Sequence, residues 1–237
     1  MKNLLFLLFA VSFSVACLPG NYGWNCVEPQ GRVESRNIDV RSFTGVSASG
    51  SHKVQLVRGS QNALVVEGHP NHLDLLDVEV KNGTLQLGFD KCLEDAQITF
   101  TITTPRLDAL SNSGSGMVWS DDRFRSDRLK ISNSGSGRVN LRVDADELRV
   151  DNSGSGRVEL AGSGDRLTIN NSGSGRIHLG DYHVRTARMA FSGSGRGEIS
   201  VSEEISGAVS GSGGLLHHGN ARTNVAVSGS GGLERSN

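Results

Sequence analysis

The pentapeptide Asn-Ser-Gly-Ser-Gly occurs four times in this 237-residue sequence, and its last four residues recur three more times. The full motif occupies residues 112–116, 133–137, 152–156 and 171–175, and the Ser-Gly-Ser-Gly core returns at 192–195, 210–213 and 228–231. Successive copies start 21, 19, 19, 20, 18 and 18 residues apart. A short motif at a nearly constant period is typical of a solenoid, in which each repeat is one coil stacked on its neighbours.

Alternation of side chains around the motif predicts that each coil is made of β-strands. In residues 129–141 (LKISNSGSGRVNL) the aliphatic residues, the Asn and both glycines fall on odd positions, and the serines fall on even ones. Because successive side chains of a strand point to opposite faces, we expect the first set inside and the serines outside. The glycines would let two walls approach or the chain bend. We therefore predict an all-β fold, a right-handed parallel β-helix with coils of about 19 residues.

Stacking would turn each repeat position into a row along the helix axis. We expect the motif asparagines to form an inward, structural ladder whose amides bond from coil to coil: Asn112, Asn133, Asn152 and Asn171. The residue after the motif predicts an outward cationic stripe: Arg138, Arg157, Arg176 and Arg196. Either these arginines pair with Glu159 and Glu198 on a solvated face, or they form, with serines and His178, a polar groove for acidic glycan or another envelope polymer.

Residues 38–105 lack the regular spacing but show β patterns, so we expect a β-rich capping region there. The strand-like segments 78–81 and 84–89 flank Asn82-Gly83, which favours a type I′ hairpin turn. Residues 48–51 (ASGS) are a weak copy of the motif, which indicates a degenerate start of the same solenoid. The expected organisation is a signal peptide at 1–16, a tether at 17–37, the capping region at 38–105 and β-helix repeats at 106–237.

The first 16 residues, MKNLLFLLFAVSFSVA, combine one basic residue, an apolar run and small residues, which is typical of a secretion signal. Cleavage after Ala16 exposes Cys17, an arrangement that resembles the lipidation site of bacterial lipoproteins. A lipidated Cys17 leaves Cys26 and Cys92 as a disulfide pair; the alternative is ordinary cleavage, with a Cys17–Cys26 bridge and Cys92 free. We expect an exported cell-envelope protein, an outer-membrane lipoprotein on the surface or periplasmic face and held to the membrane only by lipid, or else a secreted or periplasmic one.

Composition and motifs favour a non-enzymatic protein without a cofactor or metal. A net charge of −1 gives no general attraction to nucleic acid. The Gly-Ser tracts carry neither a nucleophile-elbow serine nor a P-loop lysine, and the adjacent His217 and His218 would face opposite ways on a strand. A polysaccharide-active enzyme is the alternative, because pectin-degrading enzymes use parallel β-helices with acidic clusters. Its candidate residues, at different repeat positions, are Asp144, Asp146, Asp151, Asp165 and Asp181.

The sequence also resembles a known family of exported bacterial proteins, the autotransporter-adhesin head GIN domain. The resemblance covers roughly residues 38–232 and includes the Ser-Gly-Ser-Gly units; its other segments are 43–46 (FTGV), 56–59 (LVRG), 82–87 (NGTLQL) and 104–107 (TPRL). It implies a β-helical fold, an envelope location and an adhesin-like role, but no catalytic residue or ligand. We expect a surface for binding or scaffolding, with glycan, an envelope polymer or another protein as partner. A periplasmic binding or signalling module is a further alternative.

Overall fold

The structure is a computed structural model and describes residues 26–236. These residues form one short helix, α1 (Pro70–Leu73), and seventeen strands. The strands are β1 (Glu34–Ile38), β2 (Gly45–Gly50), β3 (Lys53–Arg58), β4 (Ala63–Gly68), β5 (Leu76–Lys81), β6 (Thr84–Phe89), β7 (Thr99–Thr104), β8 (Ala109–Gly114), β9 (Met117–Gly135), β10 (Arg138–Gly154), β11 (Arg157–Ser163), β12 (Arg166–Gly173), β13 (Arg176–Gly193), β14 (Arg196–Gly211), β15 (Gly214–His218), β16 (Arg222–Gly229) and β17 (Gly232–Arg235). The predicted signal peptide and Cys17 lie outside the described residues.

The strands from β8 onward build a parallel β-solenoid, and the solenoid has about seven turns. Each coil has one wall before the Gly-rich corner and another after it. The register keeps equivalent positions in line, so that Leu148 pairs with Leu167 on the first wall and Val139 pairs with Val158 on the second. These aliphatic side chains point inward and are buried. The core is therefore a narrow column, and stacking of coils rather than any single coil supplies its burial.

The two glycines of each motif have different roles, which corrects the expectation that both point inward. The second one, such as Gly137, is buried, but the first one, such as Gly135, is exposed. Gly135 has φ +96°, a conformation that residues with a Cβ rarely adopt. It turns the chain at the corner and breaks the simple alternation of sides, which is why parity alone misplaces it.

The amino-terminal region belongs to the same solenoid. Ser49 and Gly50 pair with Ser113 and Gly114, so the weak motif copy occupies a coil of its own. Strand β6 pairs with the other edge of β2, and β7 pairs with the other edge of β3. The coil formed by β6 and β7 is thus later in sequence than β2 and β3 but precedes them along the solenoid axis.

Antiparallel strands cover this amino-terminal end of the solenoid. The predicted hairpin is present, with β5 antiparallel to β6, and β4 is antiparallel to β7. Strand β1, at the end of the segment expected to be a tether, pairs with β4 in turn. A disulfide joins Cys26 to Cys92, and Val27 N donates a 2.9 Å hydrogen bond to the Cys92 carbonyl. Within residues 26–236, no helix is long and apolar enough to cross a membrane.

Candidate functional site

The four motif asparagines lie inside the solenoid, each no more than 2% exposed. Asn112 Nδ2 donates to Asn133 Oδ1 at 2.9 Å, Asn133 repeats the bond to Asn152 at 2.9 Å, and Asn152 repeats it to Asn171 at 2.8 Å. The amides of Asn112 and Asn133 also donate to the carbonyl of the second glycine of their own motif, at 3.2 and 3.1 Å. The ladder satisfies buried polar groups and ties coils together, so it holds the corner in place beneath the outer surface of the solenoid.

The residues that directly follow the motif form one row. This row lies on the wall of the solenoid that comes after the corner, and we call that wall the arginine wall. Arg138 pairs with Arg157, Arg157 with Arg176, and Arg176 with Arg196. Neighbouring strands are about 4.8 Å apart, so the backbone positions of the four arginines repeat at that interval along the axis.

The same row extends towards the amino terminus, which the sequence reasoning missed. Met117 pairs with both Arg138 and Lys53. Lys53 is thus a fifth cation of the row, separated from the arginines by one coil that carries Met117. The signal was available in the sequence, since Lys53 follows the weak motif copy at the position that Arg138 occupies after a full one.

Only one of the four arginines has a carboxylate partner among the described residues. Arg157 Nη1 lies 3.1 Å from Glu159 Oε1. Glu198 instead accepts from two imidazoles, with His178 Nδ1 and His218 Nε2 each 2.7 Å away. Arg138, Arg176 and Arg196 make no side-chain hydrogen bond or ion pair to any residue of the described chain. Of the expected pairing with Glu159 and Glu198, only the Arg157–Glu159 pair is therefore present.

A shallow groove of about 420 Å³ runs along this row. It is lined by the second serines of the motifs, by two corner glycines and by the row itself: Ser115, Ser136, Ser155, Ser174, Gly116, Gly137, Met117, Arg138, Arg157 and Arg176. The serines alternate with the buried glycines, so they face solvent, and their hydroxyls have no partner within residues 26–236. The groove offers hydroxyl donors and acceptors beside a line of positive charge, which suits a ligand with both hydroxyl and anionic groups.

A second depression of about 710 Å³ lies on the arginine wall, beyond the arginine row in the direction of the strands. It contains the His178–Glu198–His218 cluster and His183, whose Nδ1 is 2.8 Å from the Ser200 hydroxyl. His217 faces the other way and is buried, as expected for adjacent strand residues. Burial, then the positive charge of Arg235 and the neighbouring His218, lowers the pKa of His217. Among residues 26–236, no group of three His, Cys, Asp or Glu side chains is arranged to hold a metal ion.

Three of the five candidate aspartates of the enzyme alternative are engaged in ion pairs. Asp144 lies 2.9 Å from Arg123 Nη1, Asp151 lies 2.9 Å from Arg149 Nη2, and Asp165 lies 3.0 Å from Arg185 Nη1. Asp144, Asp146 and Asp165 do share a depression of about 520 Å³ at the turns. Asp181 lines the different depression that contains the histidines. The structure thus brings three of the five together, with arginines rather than an open carboxylate pair.

Residues 42–221 match the model of the family described as "Putative auto-transporter adhesin, head GIN domain". This chain belongs to that family. The match covers both the amino-terminal coils and most of the Gly-Ser repeats, and it ends before strands β16 and β17. No curated protein matches the chain.

Several solved structures are similar to this GIN domain. A "putative adhesin" from Bacteroides fragilis has a TM-score of 0.80 at 24% identity, covering 89% of this chain and all of that one. A "putative lipid binding protein" from Parabacteroides distasonis has a TM-score of 0.74 at 22% identity, covering 89% and 99% of the two chains. A "putative adhesin" from the same species has a TM-score of 0.71 at 19% identity, covering 90% and 100%. At these identities the similarity establishes the shared fold.

Proposed function

We propose that this GIN-domain protein is a non-enzymatic, adhesin-like protein of the cell envelope that binds an anionic glycan along the arginine wall. The proposal depends on Arg138, Arg176 and Arg196, whose backbone positions lie in one row and whose side chains have no carboxylate partner in the described chain. The family description and the adhesin relatives support the same general role.

The geometry of the row suits a polymer better than a small ion. A single exposed arginine binds an anion weakly, because water and salt screen the attraction. Several cations in a row with a spacing of about 4.8 Å can meet more than one charge of the same polymer chain, so that each contact raises the effective concentration of the next. Arginine also donates in pairs to carboxylate or sulfate oxygens, and the serine hydroxyls beside it can bond sugar hydroxyls.

Location in the envelope rests on the amino-terminal sequence. The predicted secretion signal at 1–16 and the position of Cys17 support export and a lipid anchor, which would present the solenoid on a membrane surface. Mass spectrometry of the mature amino end tests the anchor, since an unmodified Cys17 thiol would contradict it. Protease treatment of intact cells distinguishes the outer surface from the periplasm.

The proposed ligand contact is tested with a triple variant, Arg138→Gln, Arg176→Gln and Arg196→Gln. We expect the mature wild-type protein to bind an acidic polysaccharide on a glycan array and by calorimetry, and the variant to lose most of that affinity. The matched control is Arg149→Gln, Arg166→Gln and Arg185→Gln, which makes the same charge change at arginines that pair with carboxylates elsewhere. This control should bind like wild type.

Three outcomes would overturn the proposal. If no acidic polysaccharide binds the wild-type protein, the ligand class is wrong. If the two triple variants lose affinity equally, the effect is one of net charge and the arginine wall is not the site. If purified protein degrades the polysaccharide and aspartate substitutions abolish that turnover, the protein is an enzyme.

A further inference from the structure

Six side chains at the amino-terminal end of the arginine wall form a patch in which apolar residues are flanked by polar ones. The central coil contributes Met117 and Trp119, which are both half-buried and on the outer side of strand β9. Lys53 and Gln55 flank them on the preceding coil. Arg138 and Asn140 flank them on the following coil. We call these six residues the Trp119 patch: an apolar strip with one cation and one amide on each side.

The polar members of the patch are free to bind a ligand. Within residues 26–236, the side chains of Lys53, Gln55, Arg138 and Asn140 make no hydrogen bond or ion pair, and neither does the indole N–H of Trp119. A tryptophan in a surface position usually directs its N–H to a partner or to water, while its ring offers a flat apolar surface. The patch therefore combines an unused aromatic face with unused donors and acceptors.

We infer that the Trp119 patch is a sugar-binding subsite of the arginine wall, where one pyranose ring of an acidic polysaccharide stacks on Trp119. This inference rests on the proposed function. The C–H face of a pyranose is apolar and its edges carry hydroxyl groups, so it matches an aromatic face flanked by amides. Gln55 and Asn140 lie beside Trp119 in its own row, where they meet the hydroxyl groups at the two edges of the ring.

The charge pattern of the patch further defines the ligand. Lys53 and Arg138 lie on coils two strand spacings apart, about 10 Å, and Met117 occupies the cation position between them. A carboxylate next to Met117 would lose hydration without gaining a charge partner. The ring that stacks on Trp119 is therefore a neutral sugar between two acidic ones, and the natural probe is a polymer that alternates uronate with neutral sugars, such as hyaluronan.

The experiment measures binding of a hyaluronan octasaccharide and of polyphosphate, a linear polyanion without sugar rings. Three mature proteins are compared: wild type, Trp119→Ala and Trp119→Phe. We expect Trp119→Ala to weaken hyaluronan binding about tenfold while polyphosphate binding is unchanged, because only the sugar uses the aromatic face. Trp119→Phe keeps an aromatic ring, so it should weaken hyaluronan binding by less than half as much as Trp119→Ala does. This comparison separates stacking from a general loss of folding.

A second readout follows the tryptophan directly. In a Trp24→Phe background, Trp119 is the single tryptophan of the 237-residue sequence, and its fluorescence should shift to shorter wavelength with hyaluronan but not with polyphosphate. If wild type binds both polymers and Trp119→Ala weakens both equally or neither, the sugar subsite is refuted while the anionic-polymer function stands. If wild type binds neither polymer, the proposed function itself fails for these ligands and the subsite fails with it.

Discussion

Asn133 and Asn152 lie on successive coils, and Asn133 Nδ2 donates a 2.9 Å hydrogen bond to Asn152 Oδ1 inside the solenoid. Asn152 in turn donates to Asn171 at 2.8 Å, so Asn152 is both acceptor and donor in the ladder. The bonds are buried, where an unpaired amide is costly. The ladder thus stabilises the corner, and the corner in turn positions the serines and arginines on the outer surface.

Replacing Asn152 should break the ladder at its middle. Asn152→Ala removes one donor and one acceptor and leaves a small cavity, so we expect the free energy of unfolding to fall by about 2–4 kcal/mol. Urea unfolding followed by circular dichroism measures this. Asn170→Ala is the control: Asn170 is half-buried and donates outward to Asp151 at 2.7 Å, so its loss should cost less than about 1 kcal/mol. Equal losses in both variants would show that the ladder contributes no special stability.

The corner glycines should tolerate no side chain. Gly154 has φ +100°, and a Cβ there would lie 2.6 Å from the Gly135 carbonyl oxygen of the neighbouring coil. Gly154→Ala should therefore destabilise the protein by at least about 2 kcal/mol. Gly214→Ala is the matched control, since no atom lies within 4 Å of a Cβ at Gly214. Thermal unfolding of the two variants should differ clearly, and a Gly154→Ala protein as stable as Gly214→Ala would contradict the close coil packing at the corner.

Removing a carboxylate from the arginine wall should strengthen binding of an anionic ligand. Glu159 pairs with Arg157 at 3.1 Å and also repels an approaching anion. Glu159→Gln releases the guanidinium, and we expect about two- to fivefold tighter binding of an acidic polysaccharide at low salt. Glu203→Gln makes the same charge change at a residue paired with Arg185, and its affinity should stay at the wild-type value. Weaker binding by Glu159→Gln would instead assign Glu159 a direct contact with the ligand.

His217 should make the last two coils of the described chain sensitive to acid. It occupies an inward position, its Nδ1 has no partner within the described residues, and burial is the first cause of its lowered pKa. As pH falls through the ordinary histidine value of 6.5, the unfolded chain gains a proton that the folded chain does not, so stability decreases. The loss levels off below the folded pKa, when both states are protonated.

His217→Leu tests this assignment, because leucine suits the inward position and does not titrate. The free energy of unfolding should lose part of its dependence on pH between pH 7.5 and 5 in this variant. His52, whose pKa is also lowered by burial, still contributes to that dependence. His218→Gln is the comparison, since His218 lies on the outer side with Glu198. An unchanged pH profile in His217→Leu would show that the buried imidazole does not titrate in this range.

The Cys26–Cys92 disulfide closes a segment with a sequence separation of 66 residues and attaches the first described residues to the capping region. Cys26→Ser with Cys92→Ser should lower the free energy of unfolding by about 2–4 kcal/mol, with chain entropy of the unfolded state as the main cause. Alkylation without reduction, followed by mass spectrometry, checks the pairing directly. Labelled Cys26 or Cys92 in oxidised wild-type protein would contradict it.

Much of the architecture could be predicted from periodicity. A motif repeating at about 19 residues specifies a solenoid, because residues at the same phase of each repeat must stack. The parity of Asn133 placed it inside, and the position of Arg138 after the motif placed it in an outward row. These are local properties of a strand, for which alternation of sides depends only on neighbouring residues.

Other features depended on which coils lie next to each other. The coil of β6 and β7 precedes that of β2 and β3 along the axis, although it follows in sequence. Lys53 and Trp119 come together only because β3 pairs with β9, across an insertion that disrupts the period. Glu198 binds histidines rather than Arg196, and that choice depends on side-chain reach between coils.

Strand alternation and a fixed period are enough to predict the repeating coil, its inward asparagines and aliphatic residues, and the row of arginines. They do not predict the separate roles of the two motif glycines, the charge partners along the arginine wall or the composition of the Trp119 patch. These features arise between coils, because pairing across a gap in the repeat depends on the packing of the whole solenoid, which no local pattern encodes.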